Sequence, residues 1–204
     1  MLPRLQFLTL DASPLGHREQ ALAALRGGVR LVQLRAKGLA ESDWAELARE
    51  VVAVCHEQGA LCIINDSPRV ALLSGADGVH LGPEDASPAE ARALLGEKAL
   101  IGATLNFPAH LERLRGVRID YVGVGPFRHT TSKAKLAPVH SAESLRELVA
   151  LAAPLPAYVI GGVTAADASA VRTLGAHGFA VSGAIALATD PVAAARGLVS
   201  AAGA

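Results

Sequence analysis

The sequence predicts an α/β protein folded as a single (β/α)8 barrel over residues 1–204, and three observations carry the expectation. Eight short apolar runs recur along the chain, helix-like periodicities separate most of them, and polar residues and glycines collect where the runs end. Shared among eight strand and helix units, the 204 residues allow about 25 each, sufficient for a barrel of the ~200-residue kind. A doubly wound open sheet would show the same alternation. However, no GxGxxG follows the first run and no linker divides the chain into halves.

In order, the runs are QFLTL (6–10), RLVQLRA (30–36), LCIIND (61–66), GVHLG (78–82), LIGATLN (100–106), DYVGVG (120–125), AYVIGG (157–162) and GFAVSGAI (178–185). They are continuously apolar or small rather than alternating, as parallel strands covered on both faces require. Between them, SDWAELAREVVAVCHEQG, SPAEARALLGEK, SAESLRELVALAA, TAADASAVRTLG and DPVAAARGLVSAA carry the helical period. Ser87, Pro88 and Glu90 spell a capping box with proline at the first helical position, and Asp190 with Pro191 opens the last helix similarly.

Composition bounds the function. With 51% hydrophobic and 19% charged residues the chain is an ordinary globular protein, and nineteen basic residues balance nineteen acidic ones. No field of one sign favours nucleic acid or an anionic membrane, so an anion site must be built locally. No run approaches the ~20 apolar residues of a membrane span, and the N-terminus reads as a strand rather than a leader, which predicts a cytoplasmic protein. Cys55 and Cys62 read as free core thiols. Apolar outer helix faces would serve a homo-oligomer or ordinary barrel packing alike.

Barrel sites lie at the C-terminal ends of the strands. On the second strand Gln33, Arg35 and Lys37 are spaced by two and project to one side. An outward row would put charges under the helices, where they are rarely tolerated, so the inward orientation is expected. The third strand ends in Asn65 and Asp66, and Asp85 follows the fourth. Two carboxylates at neighbouring rim positions suit Mg²⁺ when substrate phosphates supply its other ligands. Either alone would serve as a turn or cap residue, and Glu84 is an alternative ligand to Asp85. Thr104 and Asn106 follow the fifth strand, and Asn106 is equally suited to capping a helix. Gly161 and Gly162 end the seventh strand, while Ser182 and Gly183 lie on the eighth. Phosphate after strands seven and eight is a recurrent barrel arrangement. His80, His177 and Trp44 read as structural. The stretch GPFRHTTSKAKLAP (125–138) after strand six is long enough to lie over the rim, and it brings Lys133 to the carboxylates.

The ordered motifs VQLRAKGL, IINDSPRVALLSGADGVHLGPED, IGAT, DYVGVGPFRHTTSKAKLAPV, VIGGV and GAHGFAVSGAI resemble the thiamine-phosphate synthases and their TenI-like tautomerase relatives over nearly the whole chain. Such synthases join a hydroxymethylpyrimidine diphosphate to a thiazole phosphate and release diphosphate. The resemblance implies that Gln33, Arg35, Lys37, Asn65 and Lys133 surround the diphosphate and that Asp66 and Asp85 bind Mg²⁺. Thr104 would face the pyrimidine. Thr130 and Ser132 would take the thiazole phosphate, completed by Gly162 and the Ser182 and Gly183 backbone, while Thr131 points away. The partners implied are these two small molecules, with no nucleic acid and no membrane. A thiazole tautomerase is the alternative, and a non-catalytic ligand-binding regulator a third. Retention of Arg35, Lys37, Asp66 and Asp85 favours the synthase.

Overall fold

The computed structural model describes residues 1–130 and 137–203. Eight parallel strands pair in chain order and close on themselves: β1 (Leu5–Leu8), β2 (Leu31–Leu34), β3 (Leu61–Asn65), β4 (Gly78–Leu81), β5 (Leu100–Thr104), β6 (Tyr121–Val124), β7 (Ala157–Ile160) and β8 (Gly178–Val181). The last strand pairs with the first through Gln6 and Ala180, so no edge remains, as the barrel expectation requires.

Helices α1 (His17–Arg26), α2 (Glu41–Glu57), α3 (Pro68–Ser74) and α4 (Pro88–Leu95) follow the first four strands, and α5 (Ala142–Ala152) follows β6. A 3₁₀ helix (Pro108–Leu114) stands after β5, and a 3₁₀ turn (Ala165–Asp167) leads into α6 (Ala168–Thr173). After β8 come the short α7 (Gly183–Ala186) and α8 (Pro191–Ala202). The Ser87 capping box is present in both directions, and Asp190 accepts from the Ala193 N–H at 3.0 Å. No helix among the described residues is long and apolar enough to cross a membrane.

The run 178–185 and the helices α1 and α3 depart from the sequence expectation. The run 178–185 is not one strand: the chain turns at Ser182, whose carbonyl accepts from the Ile185 and Ala186 N–H groups at 3.0 Å. With only Gly and Ala at 183 and 184, no bulky side chain holds that segment in the sheet. Helices α1 and α3 were not expected: the N-cap of α1 is Gly16 without a side-chain bond, and α3, though opened by Ser67 and Pro68 and closed by Gly75, has seven residues, too few for a helical period to stand out.

Side chains divide by strand parity. Outward residues such as Val32, Leu34, Cys62, Ile64, Val79 and Val124 pack with the helices, and Cys55 and Cys62 are both buried and unbridged. Inward, Leu8, Leu31, Ile63, Tyr121, Tyr158 and Ala180 form a second cluster that plugs the lumen. The Tyr121 and Tyr158 rings meet edge to face at 5.5 Å, a favoured aromatic geometry. Tyr121 crosses the lumen because Gly102 faces it in register. A Cβ at 102 would stand within 2.5 Å of Tyr121 Cε1 and Oη.

Candidate active site

Above this plug a cavity of about 660 Å³ opens at the C-terminal ends of the strands. Its floor is polar. The Gln6 amide donates to Tyr121 Oη at 3.2 Å, and His80 bridges Tyr121 Oη (Nδ1, 3.2 Å) and Thr104 Oγ1 (Nε2, 3.1 Å). Burial pushes the Tyr121 phenol well above its usual pKa, so it stays neutral. Gln33 lines this floor and is 1% exposed, and its buried Oε1 has no hydrogen-bond partner among the described residues.

At the rim, Arg35, Lys37, Asn65, Asp66 and Asp85 all line the same cavity, as do Glu84 and Asn106. The inward orientation of the Gln33, Arg35 and Lys37 row is therefore correct, with Gln33 on the floor, Arg35 half-buried and Lys37 exposed. Asn106 does not cap the following 3₁₀ helix, whose N-cap is Phe107. The Lys37 ammonium pairs with Asp66 Oδ2. Asp66 sits at φ 66°, a left-handed conformation that Asp tolerates better than most residues. Its N–H donates to the His80 carbonyl at 2.8 Å, which turns the carboxylate towards the loop after β4.

On that loop Asp85 accepts from the Gly82 N–H at 2.7 Å. Burial, and then a hydrogen bond with Asp66, push the Asp85 carboxyl above its ordinary pKa, against the opposing pull of the Gly82 N–H and the Lys37 ammonium. Arg113 fixes the loop from outside by donating to the carbonyls of Gly82 at 2.8 Å and Asp85 at 3.0 Å. Two neighbouring carboxylates repel once both ionise, and a divalent cation relieves that repulsion. Among the described residues no group of three or more Asp, Glu, His or Cys gathers. A cation here would depend on water and substrate oxygens, as Mg²⁺ does and structural Zn²⁺ does not.

Sequence reasoning missed several residues. Asp11, just past β1, accepts from the Lys37 N–H at 3.1 Å and lies 3.8 Å from Arg35 Nη1 and 3.3 Å from His17 Nε2. Thr9 Oγ1 accepts from the Arg35 N–H at 3.0 Å and contacts His17 Nδ1 at 2.8 Å. The position of Asp11, at the C-terminal end of an apolar run as Asp66 is, was the available signal. His80, expected to be structural, lines the cavity together with Phe107 and His110. His177 is structural as expected, bonded to the Leu2 carbonyl at 2.9 Å and set against the Tyr158 ring.

Across the mouth, Thr130, Gly162, Ser182 and Gly183 line the opposite wall. Gly161 and Gly162 have φ of 99° and 67°, and a Cβ on Gly161 would stand 2.7 Å from Pro126 Cβ. Only glycine allows the loops after β6 and β7 to approach so closely. Arg128 pairs with Asp167, and His129 is exposed and does not line the cavity. The expectations for Thr131, Ser132 and Lys133 fall outside the described residues.

The family described as thiamine monophosphate synthase matches this chain over residues 12–185. A thiamine-phosphate synthase of Bacteroides fragilis is 36% identical over 192 residues, covering 92% of this chain and 94% of the relative. One from Laribacter hongkongensis is 40% identical over 196 residues, covering 94% and 92%. Among solved structures, thiamine phosphate pyrophosphorylase from Pyrococcus furiosus superposes with a TM-score of 0.87 at 28% identity, over 98% of this chain and 95% of that one.

Proposed function

This chain belongs to the thiamine monophosphate synthase family, and from that membership we propose that it is a transferase that couples a hydroxymethylpyrimidine diphosphate to a thiazole phosphate, giving thiamine phosphate and diphosphate. The observation that carries the assignment of the site is the gathering of Arg35, Lys37, Asp66 and Asp85 on one rim of a single cavity with a polar floor. A tautomerase of a thiazole carboxylate phosphate would have no use for a diphosphate cradle.

The residues suit the reaction as follows. The pyrimidine ring sits on the floor beside Gln33, where Thr104, backed by His80, flanks the ring. Its diphosphate lies along Arg35, Lys37 and Asn65. Asp66 and Asp85 are the residues that would hold Mg²⁺, which when bound neutralises charge on the diphosphate oxygens. As the bond between the benzylic-type carbon and the diphosphate oxygen breaks, negative charge gathers on the leaving group. The Arg35 guanidinium and Lys37 ammonium lie where that charge develops, and fixed cations there lower the barrier more than mobile water does. Asp11 orients the Arg35 guanidinium and, through the Lys37 backbone N–H, fixes the chain that carries Lys37 before substrate arrives. The thiazole phosphate occupies the wall formed by Thr130, Gly162, Ser182 and Gly183, which brings the thiazole nitrogen to the benzylic-type carbon that the diphosphate leaves. Positioning and charge stabilisation then suffice without a strong base.

Incubating the protein with both phosphorylated heterocycles and Mg²⁺ tests this directly. Thiamine phosphate and diphosphate should form in equal amounts. Folded protein that yields neither refutes the assignment.

A further inference from the structure

Arg128 lies four residues past the end of β6 and does not line the cavity, yet among the described residues of its loop it is the most heavily bonded side chain. Its guanidinium meets the Asp167 carboxylate in a fork, Nη1 to Oδ2 and Nη2 to Oδ1, each at 2.6 Å. Nη1 also donates to the Gly162 carbonyl at 3.2 Å. Asp167 is buried, and its Oδ2 accepts further bonds from the Thr164 N–H at 2.9 Å and hydroxyl at 2.8 Å. The backbones are stitched alongside: the Phe127 N–H donates to the Ile160 carbonyl at 2.9 Å and the Arg128 N–H to that of Gly161 at 2.8 Å.

Isolated surface ion pairs contribute little. This one differs because the fork is two-pronged, which fixes orientation as well as distance, and because its carboxylate is already anchored by Thr164. The backbone bonds set the two loops edge to edge, and the fork adds a lateral brace. On either side of it stand cavity residues, Thr130 two positions further along one loop and Gly162 on the other.

We propose that Arg128 is a positioning residue: through Asp167 it fixes Thr130 against Gly162, so that the phosphate of the thiazole substrate meets donors from the loops after β6, β7 and β8 at once. This rests on the placement of the thiazole phosphate on that wall. Loosening the brace weakens capture of one substrate and leaves the diphosphate cradle on the far rim untouched.

The test is steady-state kinetics of Arg128→Ala, Arg128→Lys and Asp167→Asn beside Gly183→Asp. In Arg128→Ala and Asp167→Asn, KM for the thiazole phosphate should rise roughly tenfold or more, the loss expected from misplaced donors, while KM for the pyrimidine diphosphate stays within about twofold and kcat within about threefold. Arg128→Lys keeps the charge but not the fork and should fall between. Both KM values rising together with a lower unfolding midpoint, or an unchanged thiazole KM, overturns the positioning role. Gly183→Asp sets a carboxylate into the wall, at a position where a Cβ meets only Leu187 at 3.5 Å, and should raise the same KM by repulsion. If Gly183→Asp has that effect and Arg128→Ala does not, the brace fails alone. If Gly183→Asp leaves the thiazole KM unchanged, the placement of that substrate fails with it.

Discussion

Replacing Gly102 with Ala adds one methyl group at the point where Tyr121 crosses the lumen. The new Cβ would stand within 2.5 Å of Tyr121 Cε1 and Oη. The ring cannot withdraw downwards, because Tyr158, Leu31 and Ile63 fill the space below it. Overpacking a rigid core costs about 1–3 kcal/mol. A displaced phenol also forfeits its contacts with Gln6 and His80, at about 1 kcal/mol each. The expected loss is roughly 3–5 kcal/mol, a large share of the ~5–15 kcal/mol that stabilises a typical domain. Urea unfolding followed by circular dichroism measures it. Gly197→Ala supplies the control, since this exposed glycine lies inside α8 with nothing within 4 Å of a built Cβ. It should stabilise the protein by about 0.5–1 kcal/mol. A loss below about 1 kcal/mol in Gly102→Ala would refute the view that Tyr121 is locked across the lumen.

Lys37→Ala and Arg35→Ala should each lower kcat/KM by roughly 10²–10³-fold, the scale for losing a group aimed at developing charge, with unfolding midpoints close to wild type. Arg113→Ala removes two donors from the loop that carries Asp85. It should raise the Mg²⁺ concentration needed for half-maximal rate by about 10–100-fold, as losses of supporting contacts around metal ligands do. The Arg128 fork, followed by the Thr164 bonds, holds the Asp167 carboxyl well below its ordinary value of 3.8. A depressed carboxylate contributes stability that is complete above the unfolded-state value and is lost as pH falls below it. Asp167→Asn should therefore be the less stable protein at neutral pH, with a shallower loss of stability below pH about 4 in acid titrations. Parallel acid limbs would contradict the pairing.

The barrel was legible because parallel strands buried on both faces must be continuously apolar, and eight such runs stood in the sequence. The residues lining one rim were legible for a related reason. A strand's alternation places Gln33, Arg35 and Lys37 together, and the loop after each strand places Asp66 beside Asp85. What escaped notice depends on contacts between segments distant in sequence. His80 looked like a lone histidine until β5 and β6 brought Thr104 and Tyr121 to its two nitrogens. Asp11 drew no reading from the sequence, because its partners Arg35 and Lys37 lie at the end of β2. Arg128 stood in the stretch GPFRHTTSKAKLAP without a role, because its partner lies 39 residues away. The strand ends were overextended because apolar content continues past the last ladder bond, and only the backbone turn at Ser182 separates β8 from α7.

The central claim is that Asp66 and Asp85 together hold the Mg²⁺ that lets diphosphate depart. Its most direct test is the initial rate of thiamine phosphate formation against free Mg²⁺ for the wild type, Asp66→Asn and Asp85→Asn. The account predicts a saturable Mg²⁺ requirement in the wild type, abolished by EDTA, and little or no turnover in either folded variant across the same range. Full wild-type rates in EDTA, or unaltered Mg²⁺ dependence in both variants, would contradict it.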